Sequence, residues 1–119
     1  MAQHNELGKK GEQLAIDYLV KNGYTIVEKN YRFQKAEIDI IAQKEHLLSV
    51  VEVKTRSTAY FGNPQDFVNL KKIKLLVLAI DNYVSERDLD VEVRFDIIAI
   101  IKQRHEFIIE HIEDAFLYF

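Results

Sequence analysis

Two periods of hydrophobic spacing divide the chain. Leu7, Gly11, Leu14, Ala15, Tyr18 and Leu19 recur at i, i+4, i+7 and i+8, which predicts an amphipathic helix over residues 5–22. Asn5 is a candidate cap for its start, and Asn22-Gly23 supplies a left-handed stop. Tyr24 to Tyr31 reads as a strand, followed by a basic turn of Arg32, Gln34 and Lys35. Two short runs rich in Ile and Val come next, Ile38 to Ala42 and Leu47 to Val53, separated by a polar break at Gln43 to His46. Runs of this length and composition suit buried strands. A loop from Thr55 to Asn63 holds Arg56, Tyr60, Phe61 and Gly62, and Asn63-Pro64 is a helix-start signal. It predicts a second helix from about Gln65 to Val84, with Leu70, Ile73, Leu76, Val77, Ile80 and Val84 as its core stripe. That helix is apolar over more than half its circumference and is expected to be well buried. Val91 to Ile101 and Phe107 to Ile112 read as two further strands.

The order helix, three strands, helix, two strands predicts an α/β fold. The first three strands are close enough to pair through short turns, as an antiparallel meander. The second helix then makes a crossover, so the expected sheet is mixed, five-stranded and flanked by helices. At 119 residues the chain is expected to form one domain, 1–119, with a modest core. It contains no Cys, which excludes disulfides and thiolate metal sites. No run approaches the ~18 apolar residues that span a bilayer, and no signal peptide is evident, so a cytoplasmic location is expected. The net charge of −3 is unevenly spread. Residues 1–74 hold 12 Lys and Arg against 9 Asp and Glu, and residues 75–119 hold 4 against 10. A basic first half is compatible with a polyanionic partner.

Candidate chemistry lies where the apolar runs carry charge. Glu37 and Asp39 interrupt the first run, and Glu52 and Lys54 close the second. Buried charge is costly unless paired or bound to metal. An even number of residues in the connecting loop makes opposed positions sum to an odd number. Asp39 then shares a face with Glu52 and Lys54. Carboxylates on adjacent strands lie about 5 Å apart, and a divalent ion relieves their repulsion. Oxygen ligands without Cys favour Mg²⁺ or Mn²⁺. Glu12 stands at the edge of the first helix's buried face, able to reach inward. Glu37 is either a supporting partner or a surface charge. The four histidines, His4, His46, His105 and His111, lack metal-binding spacing, so surface or loop roles are expected. Lys71, Lys72 and Lys74 read as a solvated helix face, with phosphate contact as the alternative. Gly8 and Gly11 lack the surroundings of a phosphate loop and suggest close approach of helix to sheet.

The same residues carry a resemblance. Gly8-x-x-Gly11-Glu12, Ala36-Glu37-Ile38-Asp39-x-Ile41-Ala42, Val51-Glu52-Val53-Lys54-x-Arg56, Phe61-Gly62 and Arg94-Phe95-Asp96 resemble the UPF0102 family, also called the YraN family. That family is assigned to the restriction-endonuclease-like PD-(D/E)XK superfamily and is similar to archaeal Holliday-junction resolvases. The resemblance spans Gly8 to about Phe116. It implies Asp39, Glu52 and Lys54 as the D…ExK triad, with Glu12 as the helical carboxylate beside it, and Arg56 and Lys71 as DNA contacts. Ala36 departs from the pattern, which usually has Gly before the Glu.

These readings lead to an expected function. It is a Mg²⁺- or Mn²⁺-dependent DNA endonuclease, with branched or structured DNA among its substrates. Asp39, Glu52 and the Val53 carbonyl are the expected metal ligands, Lys54 positions the attacking water, and Glu12 supports the site. The alternative is a catalytically silent nucleic-acid-binding module on the same scaffold. A third reading is an interaction protein using Tyr60 and Phe61. Resolvase-like nucleases usually act as two-fold dimers, so a homodimer is among the expectations. The apolar end, Ala115 to Phe119, is expected to cover the core in preference to a partner subunit.

Overall fold

The computed structural model describes residues 2–57 and 69–116, the side chains of residues 2–5 excepted. The elements run α1 (Ala2–Lys21), β1 (Thr25–Phe33), β2 (Ala36–Lys44), β3 (Leu47–Arg56), α2 (Leu70–Glu86), β4 (Glu92–Gln103) and β5 (Glu106–Ile112). The strands form one mixed sheet in the order β1-β2-β3-β4-β5. β1, β2 and β3 pair antiparallel, β3 and β4 parallel, and β4 and β5 antiparallel. The parallel pair requires a crossover, and α2 lies in that connection. Among the described residues no helix is long and apolar enough to cross a membrane.

Both faces of the sheet are covered. On one, Ile41, Leu48, Val50 and Ile97 pack with Leu76, Ala79, Ile80 and Tyr83 of α2. On the other, Ile40, Ala42, Val51, Ile98 and Ile100 pack with Ala15 and Leu19 of α1. Burial on both sides explains why β2 and β3 read as nearly continuous apolar runs. Ala115 and Phe116 join the α2-side cluster, as expected of the apolar end. Residues 117–119 lie outside the described residues.

Local chemistry sets the ends of α1. Tyr24 N donates to Leu19 O and Gly23 N to Val20 O, the two bonds of a Schellman stop, with Gly23 at φ +93°. The start differs from expectation: α1 begins at Ala2, so Asn5 lies inside the helix. Gly11 is the close approach. A Cβ built there would fall 1.9 Å from Thr55 Oγ1 on β3, whereas one on Gly8 meets nothing within 4 Å. Close approach therefore applies to Gly11 alone.

The second helix also needs correction. Asn63-Pro64 lies outside the described residues, and α2 starts at Leu70 rather than near Gln65. Its cap is Asn69, whose side chain accepts from Lys72 N at 2.8 Å. The buried face runs through Leu76, Ala79, Ile80 and Tyr83. Leu70, placed on the stripe by sequence, is 57% exposed, and Leu78 is 44% exposed, so the helix is less buried than its composition suggested. Tyr83 wins its place because its ring packs edge-on against Tyr31 while the Arg87 guanidinium lies over its face.

Candidate functional site

The β2–β3 register fixes the two central carboxylates. Ile40 pairs with Val51 and Lys44 with Leu47, across the two-residue turn Glu45-His46. Opposed positions sum to an odd number, as the loop-parity argument required. The same register, carried one step further, sets Asp39 opposite Glu52. Here the sheet changes. Ile40 belongs to the α1-side cluster, yet Ile38, two residues away, belongs to the α2-side cluster. Regular alternation would place them together. The break falls at Asp39, where the pairing of β2 with β3 ends. Val53 N, left beyond the ladder, donates instead to Asp39 Oδ2 at 2.9 Å. A residue's N–H and C=O leave a strand on the same side, so the Val53 carbonyl faces this gap as well.

Glu52 is 4% exposed on the α2 side of the sheet. One of its oxygens, Oε2, receives two cations. Lys54 Nζ lies 3.6 Å away, and Lys72 Nζ reaches the same oxygen from the first turn of α2. Among the described residues, no cation pairs with Asp39. Burial and the Glu52 charge, with a smaller push from Glu12, raise its pKa from 3.8 to about 7. The Val53 hydrogen bond and the Lys72 charge oppose that rise only in part. A cleft of about 350 Å³ opens beside Asp39, between β2 and α2, with Lys35, Asn69, Lys71 and Lys72 on its walls.

The structure thus brings Asp39, Glu52, Lys54 and Lys72 together, and Lys72 is the one that sequence reasoning missed. It was read with Lys71 and Lys74 as a solvated face. It stands four residues before Leu76 and therefore on the buried stripe. Glu12, half-buried on α1, reaches the group through its charge on Asp39. Lys71 is exposed on the cleft wall. Arg56 is separate, lining a second groove with Lys10, Lys102 and Phe107. Glu37 resolves as a surface charge, its carboxylate 3.1 Å from Arg32 Nε.

The donor set can be weighed against a divalent ion. Among the described residues, no three His, Asp or Glu side chains gather as a metal-holding group. Two carboxylates and one backbone carbonyl remain, all oxygen donors. Mg²⁺ keeps several waters and is commonly held by only one or two carboxylates. The raised pKa of Asp39 points the same way, because a cation between Asp39 and Glu52 would relieve the repulsion behind it. The residues fit Mg²⁺ or Mn²⁺.

A second polar cluster lies on the opposite face and corrects the expectation for His111. That side chain is 7% exposed, and its Nε2 lies 2.8 Å from Asp96 Oδ2. Asp96 also accepts from Ser49 Oγ at 2.7 Å, from Arg94 Nε at 2.8 Å and from Asp114 N at 3.1 Å. Arg94 donates further to Tyr24 Oη at 2.6 Å. Burial alone would raise the Asp96 pKa, but the hydrogen bonds from His111, Arg94, Ser49 and Asp114 overcome it and hold it at about 2. Among the described residues, no buried side-chain nitrogen or oxygen lacks a partner. The cluster ties β3, β4, β5 and the start of β1 behind the strand that carries Glu52. Arg94-Phe95-Asp96 thus serves this bracing.

Comparison with known proteins agrees with the motifs. The chain is 63% identical over its full length to a UPF0102 protein of Flavobacterium psychrophilum, and 64% identical over its full length to one of Christiangramia forsetii. Both relatives are covered end to end. It is 47% identical over 116 residues to one of Phocaeicola vulgatus, covering 98% of this chain and 96% of the relative. The family model described as uncharacterised protein family UPF0102 matches residues 11–100. With the family model and full-length relatives in agreement, the chain belongs to the UPF0102 family.

Proposed function

We propose that the protein is a Mg²⁺- or Mn²⁺-dependent DNA endonuclease that hydrolyses phosphodiester bonds, with branched or structured DNA among its substrates. One observation carries this reading: Asp39 meets Glu52 where β2 parts from β3, with Lys54 on the Glu52 carboxylate and a lysine-walled cleft alongside. Asp39, Glu52 and the Val53 carbonyl would hold the cation. When bound, it would polarise a phosphoryl oxygen and make a water a better nucleophile. The chain's own groups do the rest. Lys54, anchored in the strand beside Glu52, orients the attacking water and offsets negative charge developing on the phosphate. Lys71, exposed on the cleft wall, meets the polyanion as it arrives. Glu12 adds negative potential that favours the cation.

A second reading has its own support. Glu52 already carries two ammonium partners, and the described residues offer no third carboxylate within the group. An internally neutralised cluster suits a catalytically silent nucleic-acid-binding module. Incubation with plasmid, linear and four-way-junction DNA, with Mg²⁺ or Mn²⁺ and beside Asp39→Ala, separates the two. The endonuclease reading expects cleavage by the wild type alone. If both proteins retard DNA in a gel and neither cuts it, the binding module is the answer.

A further inference from the structure

The position of Lys72 is costly for its helix. Asn69 caps α2, so Lys72 is the third helical residue, where a capping box has Glu or Gln reaching back to the cap. The first turn contains no acidic residue, although the helix dipole favours acids there and disfavours cations. A lysine at this point needs a compensating contact, and Glu52 provides it. Lys54 and Lys72 differ in how they reach Glu52 Oε2. Lys54 comes from the next residue but one on β3. Lys72 comes from another element on a long flexible stem, and its side chain is 38% exposed.

We infer that Lys72 is a resident stand-in for the divalent cation: it neutralises Glu52 in the metal-free protein and is displaced from Oε2 when the metal binds. The inference rests on the metal-site reading above. An ammonium and a divalent ion repel strongly at contact distance in a partly buried site, so they compete for one oxygen. Once displaced, Lys72 Nζ has an open place to go, because its side chain also lines the cleft beside Lys71 and Lys35. Cation binding therefore adds a free ammonium to the wall that meets the substrate phosphate. Lys72 is a positioning residue that couples metal uptake to polyanion binding.

The test is calorimetric titration of Mn²⁺ into the wild type, Lys72→Met and Lys72→Arg at pH 8 and low ionic strength. Lys72→Met is expected to bind Mn²⁺ about tenfold or more tightly than the wild type, since removing a competing charge favours the ion. Lys72→Arg, which keeps the charge, is expected to stay near the wild-type value. A merely structural role for Lys72 would weaken Mn²⁺ binding in the Met variant, and equal or weaker binding there overturns the inference while leaving the metal site standing. If the wild type and Lys72→Met both give no heat with Mn²⁺, the metal-site reading fails and this inference with it. A measurement on the wild type alone guards against misfolding of the variants: acetylation of Lys72 by acetic anhydride, followed by mass spectrometry. Mg²⁺ is expected to speed labelling of Lys72 as its amine leaves Glu52, and an unchanged rate overturns the displacement.

Discussion

Replacing Asp39 by Asn is expected to stabilise the metal-free protein at pH 8, although it destroys a proposed ligand. The carboxyl is half-buried beside Glu52, and its pKa is raised from 3.8 to about 7. A folded-state pKa above the unfolded one means that stability is full below about pH 4 and is lost as pH rises towards 7 and through it. At 1.36 kcal/mol per pH unit, the shift from 3.8 to about 7 caps that loss at ~4 kcal/mol. Asp39 is only half-buried and solvent screens part of the effect, so about half the cap is expected. Asn removes the charge and keeps an oxygen for the Val53 N–H, and so recovers ~2 kcal/mol at pH 8. For a chain of this size that corresponds to ~5–10 °C in Tm. At pH 3 Asp39 is protonated in the folded and the unfolded chain alike, and the variant should match the wild type within ~2 °C. Thermal melts in chelator at both pH values give the difference of differences, which cancels every other titrating group. Excess Mg²⁺ should raise the wild-type Tm at pH 8 and leave that of Asp39→Asn unmoved. Equal destabilisation of the variant at pH 3 and pH 8 would refute the reasoning, because the carboxylate would then be held by its contacts rather than opposed by its surroundings.

Three further outcomes are expected. Lys54→Ala should lower the rate of DNA cleavage by ~10²–10³-fold, a typical loss for one electrostatic stabiliser, with little change in the Mg²⁺ needed for half-maximal activity. Asp96→Asn should cost roughly 3–5 kcal/mol in denaturant unfolding at pH 7, because it leaves Arg94 with only the longer, exposed contact to Glu113. The lowered Asp96 pKa contributes stability above about pH 4 that is lost as pH falls towards 2, so the variant and wild type should converge in acid. Gly11→Ala should cost ~1–3 kcal/mol by forcing α1 off Thr55, with partial recovery in a double variant carrying Thr55→Ala.

The fold was largely legible because its signals are local. Short β-rich runs, two-residue turns and Asn22-Gly23 each act within a few positions, and the parity of one loop was enough to put Asp39 with Glu52 and Lys54. The misses came from contacts distant in sequence. His111 reaches Asp96 fifteen residues back, Ser49 lies another forty-seven away, and Arg94 bonds Tyr24 across seventy. No spacing rule spans such separations. Lys72 was missed for a different reason. An apolar surplus on α2 allowed a broad stripe through Leu70, Ile73, Leu76, Val77, Ile80 and Val84, and only tertiary packing narrows it to the face through Leu76, Ala79, Ile80 and Tyr83 that carries Lys72 inward.

The parting of β2 from β3 at Asp39 also divides the site between two units of unequal stability. Glu52 sits in a strand with a neighbour on either side, its amide among those that should exchange with solvent only when the whole molecule opens. Residues 36–38 pair only with β1, an edge strand of the sheet, and should open on their own at far lower free energy. A cation held by both carboxylates would staple the weaker unit to the stronger one. Amide exchange at Ala36 to Asp39 should then slow on addition of Mg²⁺, while exchange at Val50 to Glu52 stays as it was.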